Sequence, residues 1–263
     1  MNKLWLIIIS TVLVLFYLVD YKLDKANSVD PDLIQSIIKR GYLIVGVKTD
    51  TKPFGYIENG KNVGFDIDIA KYIAKDILHD ENKVKFIPVN TENRLYKLNL
   101  EKADIVIATM TITSDRVRII DFSKPYFLAG QALLINNGSH IYGLSDLFNK
   151  NVGVLFGSTA EKNIRLLMPS AYVLGYRTYK DAYSALKAGR VLAILSDDTI
   201  LRGYSMSDST VKLLPKRYSK EFYGIGVRKD QASKGLLNLI NLDINNMIND
   251  GTLIQLKRKW QLL

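Results

Sequence analysis

A chain of 263 residues is long enough for one large domain or two modest lobes, and its apolar share of 48% describes a folded protein. It contains no cysteine, which excludes a disulfide framework and a thiolate metal site. The formal net charge of +10 would suit nucleic acid, a membrane surface or an anionic ligand, but the basic residues are spread along the whole sequence. We therefore interpret the charge as that of a basic surface and expect no nucleic-acid partner.

The N-terminal segment indicates the compartment. No charged residue occurs between Leu4 and Val19, and at the helical rise this run spans about 24 Å, slightly less than a hydrocarbon core of about 30 Å. Lys3 precedes the run and several aspartates follow it, so the chain beyond it is expected outside the cytoplasm. A poor cleavage site before Ala26 favours an uncleaved membrane anchor over a signal peptide. We predict that residues 1–33 form one of these two, with a linker.

Strands and helices alternate after this segment. An apolar run at Leu43–Val47 predicts a strand, and apolar residues at helical spacing predict a helix over Asp66–Leu78. Two further strands, Val84–Val89 and Ile105–Ala108, flank a predicted helix at Asn93–Leu100. This order is typical of parallel strands connected by crossover helices.

A second series of the same kind follows. Its predicted strands and helices are Val152–Leu155, Thr159–Leu167, Tyr179–Ala188, Val191–Leu195 and Tyr223–Val227, with two helices up to the C-terminus. Two series separated by a different segment favour an α/β protein of two lobes over one long sheet.

The most informative segment runs from Ile107 to Phe127. A strand-like run ends there in alternating threonines, which include Thr109 and Thr111, and Arg116 follows a few residues later. The guanidinium group is a planar fork of donors that matches a carboxylate, and threonine hydroxyls add short donors at little entropic cost. This segment therefore predicts a site for a bound carboxylate.

The same segment resembles the extracytoplasmic solute-binding proteins that capture polar amino acids for ABC importers, a family of bacterial solute-binding proteins. The motif GFDIDIAKYIAKDI at Gly64–Ile77 and the run RGYLIVGV before Lys48 strengthen the resemblance, which covers residues 34–262. The resemblance implies an α/β, two-lobed periplasmic-binding-protein fold of type II, a clam-shell with two hinge crossings. The implied parts are lobe 1 at 34–126 and 222–263, lobe 2 at 131–221, and hinge crossings at 126–130 and 222–227.

The resemblance also assigns the amino-acid head group to particular residues. Arg116 matches the ligand of the α-carboxylate, and Thr109 and Thr111 match positions that supply hydroxyl and main-chain contacts. Thr159 opens a predicted helix, whose free N–H groups favour an anion. Asp197 matches the carboxylate that binds the ligand's ammonium group.

Each of these residues has a simpler alternative. Arg116 could form a surface salt bridge near Asp115, and the threonines could be ordinary strand residues or a helix N-cap. Asp197 could cap the helix that follows it, and its neighbour Asp198 is a rival for the ammonium group.

Further residues concern the ligand's side chain. Lys48 and Arg94 match cations that bind a side-chain carboxylate in the aspartate- and glutamate-binding branch of the family, and Tyr179 matches a cleft tyrosine of that branch. With one aspartate opposite, three cations suit an amino acid with two carboxylates, so we predict L-aspartate or L-glutamate. Thr91 stands where glutamine binders carry an aromatic residue, which argues against glutamine. Lys48 could also be a solvated lysine.

Two other functions stay open. Relatives with this fold include cyclohexadienyl dehydratases, in which a glutamate replaces the ammonium-binding aspartate; the aspartate at position 197 argues against an enzyme. The chain could instead be a sensor for a membrane partner. His79 and His140 lie far apart in sequence, so we expect no metal site and no cofactor. The expected partners are a small amino acid and ABC permease subunits, with the membrane reached through the N-terminal segment and the protein itself a monomer.

Overall fold

The structure is a computed structural model that describes residues 32–100 and 102–263. The run predicted as a signal peptide or membrane anchor, Leu4 to Val19, lies outside the described residues. Among the helices that are described, none has the length and hydrophobicity needed to cross a membrane.

The described residues form short helices and strands in alternation. The α-helices are α1 Leu33–Arg40, α2 Phe65–Leu78, α3 Arg94–Asn99, α4 Ser114–Val117, α5 Thr159–Leu167, α6 Tyr179–Lys187, α7 Asp198–Ser207, α8 Lys234–Asn249 and α9 Thr252–Lys259. The strands are β1 Leu43–Val47, β2 Asp50–Thr51, β3 Gly55–Glu58, β4 Lys61–Val63, β5 Val84–Pro88, β6 Ile105–Val106, β7 Ile120–Phe122, β8 Phe127–Ala129, β9 Gln131–Asn136, β10 Asn151–Leu155, β11 Tyr172–Tyr176, β12 Ala193–Asp197, β13 Val211–Leu213, β14 Glu221–Tyr223 and β15 Gly226–Arg228.

The first sheet has the strand order β5-β1-β6-β15-β7. Strand β1 pairs in parallel with β5 and β6, as the alternation of strands and helices predicts, whereas β15 pairs antiparallel with β6 and β7. The sheet is therefore mixed rather than wholly parallel. Helix α2 packs on β1, and its buried apolar face belongs to the same core as the strand.

The second sheet has the order β11-β10-β12-β9-β13 and is also mixed. Strand β10 is parallel to β11 and β12, and β9 is antiparallel to β12 and β13. Strands β9, β10 and β12 are apolar almost throughout and are buried along nearly their whole length, as expected for central strands covered by helices on both faces.

A two-stranded ribbon of β8 and β14 connects the chain segments of the two sheets. Phe127 pairs with Tyr223 in this ribbon, and Ala129 pairs with Glu221. The chain leaves the first sheet after β7, passes through β8 into β9 of the second sheet, and returns through β14 to β15. The ribbon consequently contains both passages between the sheets.

The prediction of one strand over Tyr223–Val227 is wrong. The structure has two short strands there, β14 in the ribbon and β15 in the first sheet, separated by Gly224 and Ile225. A Cβ at Gly224 would lie 2.9 Å from the side chain of Ile112, so glycine allows the chain to pass closely while it changes sheets. A periodic apolar pattern does not reveal that the hydrogen-bonding partner changes.

Candidate functional site

The residues predicted for the site meet at the ends of strands. Lys48 follows β1, and Asp197 is the last residue of β12. One small cavity is lined by seven of the eight predicted residues: Lys48, Arg94, Thr109, Thr111, Thr159, Tyr179 and Asp197. Its volume is about 10 Å³, which is room for about one water molecule. The walls of the cavity are therefore nearly in contact.

Lys48 is almost completely buried, with 3% of its surface exposed. Its Nζ lies 5.2 Å from the ring centroid of Tyr179, a cation–π contact across the cavity. Burial lowers the pKa of Lys48 to about 8, and the nearby Arg94 contributes in the same direction. Lys48 is thus not the solvated lysine of the simpler alternative.

Arg94 is the first residue of α3 and is held by main-chain oxygens. Its Nη1 donates to the carbonyls of Ala108 at 2.6 Å and Thr109 at 3.1 Å. Its Nε is buried and has no hydrogen-bond partner within the described part of the chain. Burial, and secondarily Arg116, lowers the pKa of Arg94 to about 9. Arg94 therefore supports the segment around Thr109 and keeps one donor uncommitted.

Thr109 has a left-handed backbone conformation, with φ of 45°. Such a conformation costs a β-branched residue about 1–3 kcal/mol, so the surrounding structure has to hold it in place. Asp66 does this from the first turn of α2, because its Oδ2 accepts a hydrogen bond from the Thr109 N–H at 3.1 Å. The Thr109 Oγ1 is buried without a partner among the described residues.

Arg116 lies in α4, a single helical turn capped by Thr113, whose Oγ1 accepts from the Arg116 N–H. Its Nη1 donates to the Thr111 carbonyl at 2.7 Å and its Nη2 to the Gly157 carbonyl at 2.9 Å. Burial lowers the pKa of Arg116, while Asp197 opposes this effect. Arg116 is absent from the cavity lining, but it adjoins Thr111, which lines it. It makes none of the surface salt bridges around Asp115, which pairs with other cations.

Thr159 begins α5, but it is not the N-cap. Ser158 has that position, and its Oγ accepts from the Glu161 N–H at 3.2 Å. The Thr159 hydroxyl instead donates to Glu221 Oε2 at 2.8 Å and accepts from Gln131 Nε2 at 2.9 Å. The cap lies one residue earlier because serine, with its backbone extended, precedes the first helical turn.

Asp197 is buried at the end of β12. Its Oδ2 accepts a hydrogen bond from the Tyr223 hydroxyl, and its side chain makes no capping bond to the following helix. Burial raises the pKa of Asp197 to about 6, and Glu221 adds to this effect. The rival Asp198 accepts from Gly130 N–H and pairs with Arg217, outside the cavity.

Two residues that the sequence did not single out connect this site to the rest of the fold. Glu221 lies in β14 and accepts from Thr159; Asp66 accepts from Tyr126 as well as from Thr109. Burial raises the pKa of Asp66 to about 6. The motif that contains Asp66 indicated a helix and strengthened the family resemblance, but it did not indicate a role for Asp66 at the site. Glu221 carries no local signal, because its importance depends on the pairing of β14 with β8.

The buried charges around the cavity are balanced. Six buried ionisable side chains surround it: the cations Lys48, Arg94 and Arg116, and the acids Asp66, Asp197 and Glu221. When all six are ionised, the three positive and three negative charges cancel. The sequence revealed only one of the acids, so it overstated the positive charge of the site.

Phe54, an aromatic residue near this part of the chain, does not line the cavity. It is fully buried and makes edge contacts with Phe65, Phe127 and Tyr223. Phe54 therefore packs within the core and is not placed to stack on a ligand in this cavity.

A two-lobed α/β fold with a cavity of this composition at its strand ends is characteristic of a solute-binding protein. The sequence profile of the family described as bacterial extracellular solute-binding proteins, family 3, matches residues 43–262. The chain belongs to this family, and its fold is the type II periplasmic-binding-protein fold.

Similar proteins share most of its length. The glutamine-binding protein of Geobacillus stearothermophilus is 44% identical over 218 residues, which cover 81% of this chain and 83% of that protein. The ABC transporter glutamine-binding protein GlnH of Bacillus subtilis (strain 168) is 40% identical over 232 residues, covering 87% and 84% of the two chains. The solved structure of an ancestral arginine-binding protein bound to glutamine has a TM-score of 0.79 at 40% identity, with 85% and 99% covered.

Proposed function

We propose that this protein binds glutamine outside the cytoplasm and delivers it to an ABC importer. The observation that supports this proposal best is the cancellation of buried charge around the cavity. A site with no excess charge suits a zwitterion whose side chain is uncharged. A second ligand carboxylate would instead add a negative charge that no excess cation balances.

The head group of the amino acid is assigned to two residues with opposite charges. Arg116 would bind the α-carboxylate through its guanidinium group, with Thr111 beside it. Asp197 would bind the ammonium group, because this buried carboxylate interacts with Lys48, Arg94 and Arg116 only through space and forms no salt bridge with a described residue. Both residues are held by hydrogen bonds to the protein, so their positions are set before the ligand arrives.

The side-chain amide of glutamine is assigned to Lys48 and Tyr179. The ammonium group of Lys48 would donate to the amide oxygen, and the ring of Tyr179 would cover the apolar part of the ligand. Arg94 is less available as a ligand for a second carboxylate, because its Nη1 already donates to two carbonyls. Thr91 lines the cavity without an aromatic ring, which was the argument against glutamine. Tyr179 lines the same cavity and supplies an aromatic face instead.

The similar proteins support the same substrate. Two relatives of at least 40% identity are named for glutamine, and an ancestral protein of the same fold was solved with glutamine bound. Both relatives are binding proteins by name, one of them of an ABC transporter, which favours binding over catalysis, as does the aspartate at position 197.

Glutamate or aspartate is a second candidate, and one observation favours it. No described residue accepts a hydrogen bond from Lys48 Nζ, so this buried ammonium group would gain most from an anionic partner. Asp50 and the buried acids Asp66 and Asp197 already reduce the positive potential at Lys48. For this reason we rank glutamine first.

Calorimetric titration of the full chain with glutamine, glutamate, aspartate, asparagine, arginine and cystine distinguishes the candidates. We expect glutamine to bind at least about tenfold more tightly than glutamate, equivalent to about 1.4 kcal/mol. Preference for glutamate or aspartate would restore the acidic-substrate hypothesis. Preference for arginine or cystine would contradict both hypotheses, while the family assignment would stand.

The division into lobes is also proposed, with the boundaries given above. The first sheet draws its strands from 43–122 and 226–228, and the second from 131–213, which supports hinge crossings in the ribbon. A cavity of about 10 Å³ cannot admit an amino acid unless its walls first separate. We expect the free protein to populate a more open form, so that glutamine reduces the radius of gyration in solution scattering. A profile unchanged at saturation would argue against closure.

We also propose that the protein is attached to the membrane and that it delivers its ligand to a permease. Fractionation of the full-length protein with membranes would support an anchor at residues 4–19, and recovery of a soluble chain beginning near Asn27 would indicate a cleaved signal peptide. Glutamine uptake that depends on this chain would support transport. Loss of a signalling response with unchanged uptake would indicate a sensor.

A further inference from the structure

A second and larger cavity opens beside the ribbon. It has a volume of about 690 Å³ and shares no lining residue with the small cavity of the predicted site. We call it the ribbon groove and define it by Leu128 of β8, Arg202 and Met206 of α7, Lys220 before β14, and Trp260 after α9. A volume in this range is typical of sites for small organic ligands.

One part of the ribbon groove is apolar and accessible. Met206 is 69% exposed and Leu128 is 49% exposed, although both are large hydrophobic residues. Trp260 and Phe127 complete this surface. Single exposed apolar residues are ordinary, but several that converge on one concave surface indicate a binding site for an apolar group.

The other part of the groove is basic. Within the described residues, the side chains of Arg202 and Lys220 make no salt bridge, although both are exposed at the groove. Arg217 also lines it but is neutralised by Asp198, which is the only acidic side chain in the lining. Lys52 is 3.9 Å from Glu58, at the edge of salt-bridge distance. The groove therefore has an excess of positive charge beside its apolar surface.

A polar atom also lacks a partner in the groove wall. Thr199 lines the groove, and its Oγ1 is buried with no hydrogen-bond partner in the part of the chain that the structure describes. A buried hydroxyl without a partner is unfavourable unless some other group satisfies it.

We propose that the ribbon groove binds a small amphipathic carboxylate, such as a medium-chain aliphatic acid. The acyl chain would lie on Leu128, Met206 and Trp260. The carboxylate would lie against Arg202 and Lys220. This ligand matches both the apolar surface and the unpaired cations. A neutral alcohol would match only the apolar surface, and an aliphatic cation would be repelled by the unpaired cations.

Calorimetric titration of the detergent-free full chain with octanoate tests the proposal, with octanol and octyltrimethylammonium as probes of equal chain length. We expect saturable binding of one octanoate, which also changes the fluorescence of Trp260, and weaker binding of the other two probes by at least about tenfold. Equal binding of all three probes would overturn the proposal, as would the absence of saturable octanoate binding. Binding to anionic phospholipid vesicles but not to octanoate would also overturn it, since the groove would then face a lipid surface.

Two pairs of variants separate the groove from general surface effects. Met206→Glu places a negative charge on the apolar wall, and Leu166→Glu, at an equally exposed position on α5, is its control. Arg202→Gln removes an unpaired cation, and Arg165→Gln on α5 is its control. We expect each groove variant to weaken octanoate binding at least about tenfold and each control to leave it unchanged. Equal effects of variant and control would overturn the assignment. Because glutamine binding is measured separately, failure of one proposal leaves the other testable.

Discussion

The two walls of the small cavity are held in place differently. The wall from the first sheet carries two arginines that are fixed by main-chain carbonyls, Arg94 by Ala108 and Thr109 and Arg116 by Thr111 and Gly157. The wall from the second sheet carries a hydroxyl and a carboxylate, on Thr159 and Asp197, which are fixed by side chains of the ribbon. The arginines of the first wall are therefore held by main-chain groups, whereas the polar side chains of the second wall depend on side chains of the ribbon.

This difference predicts how the walls respond to mutation. Removal of a first-wall cation should delete a ligand contact and leave the ribbon intact. Changes in the second wall also disturb Glu221 and Tyr223, which belong to β14. The second wall should therefore connect ligand binding to movement of the ribbon.

The largest expected effect tests the first wall. Arg116→Ala should weaken glutamine binding by at least about 3 kcal/mol, because a buried ligand carboxylate would lose its charged partner. Calorimetry measures the loss. Arg118→Ala, two residues away and exposed, is the control and should bind normally. Normal binding by the Arg116 variant would remove this residue from the site.

The next effect tests the second wall. Asp197→Asn should weaken glutamine by about 2 kcal/mol, because the ligand ammonium would lose a negative partner while the Tyr223 hydroxyl keeps an acceptor. Asp181→Asn, on the exposed side of α6, is the control. Equal affinity in both variants would show that Asp197 serves the ribbon alone.

The pH dependence of glutamine affinity distinguishes the carboxylate of Asp197 from its neighbours. The raised pKa of Asp197, about 6, means that it is protonated at pH 5 and ionised at pH 8 in the free protein. Since the ionised form binds the ammonium group, glutamine affinity should fall as the pH falls through about 6, by up to about tenfold per pH unit. Asp66 has a similar pKa, so titration of Asp197→Asn is needed for comparison. An equally steep profile in that variant would assign the dependence to Asp66 instead.

Sequence predicted the residues of both walls better than the contacts that hold them. Lys48 and Asp197 each follow an apolar run directly, and open α/β sheets bind ligands at the carboxyl ends of their strands, so a place at the site was foreseeable for each. The position of Thr159 was also foreseeable, but its hydroxyl bonds to Glu221 rather than capping α5.

What sequence could not predict depends on contacts between distant segments. Asp66 approaches Thr109, 43 residues away, and Glu221 approaches Thr159, 62 residues away. Neither acid carries a spacing that points to the cavity. The predicted excess of positive charge, and with it the preference for an acidic substrate, followed from counting only the acid that a motif identified.

The smallest expected effect sharpens the comparison between the substrates. Lys48→Met keeps the length of the side chain and removes its charge. Glutamine should lose only about 1 kcal/mol, the net value of a hydrogen bond to a neutral amide, whereas glutamate should lose about 2 kcal/mol or more. Calorimetry at pH 7 applies, because the pKa of about 8 leaves most of Lys48 protonated there. Lys61→Met, on the exposed strand β4, is the control.

The unfolding free energy should not fall in the Lys48 variant, since the change removes a charge whose burial is unfavourable. Weaker binding could therefore not be attributed to misfolding. A loss for glutamine as large as that for glutamate would mean that the acids around Lys48 do not offset its charge. The balance of charge between the two walls would then no longer explain the choice of substrate.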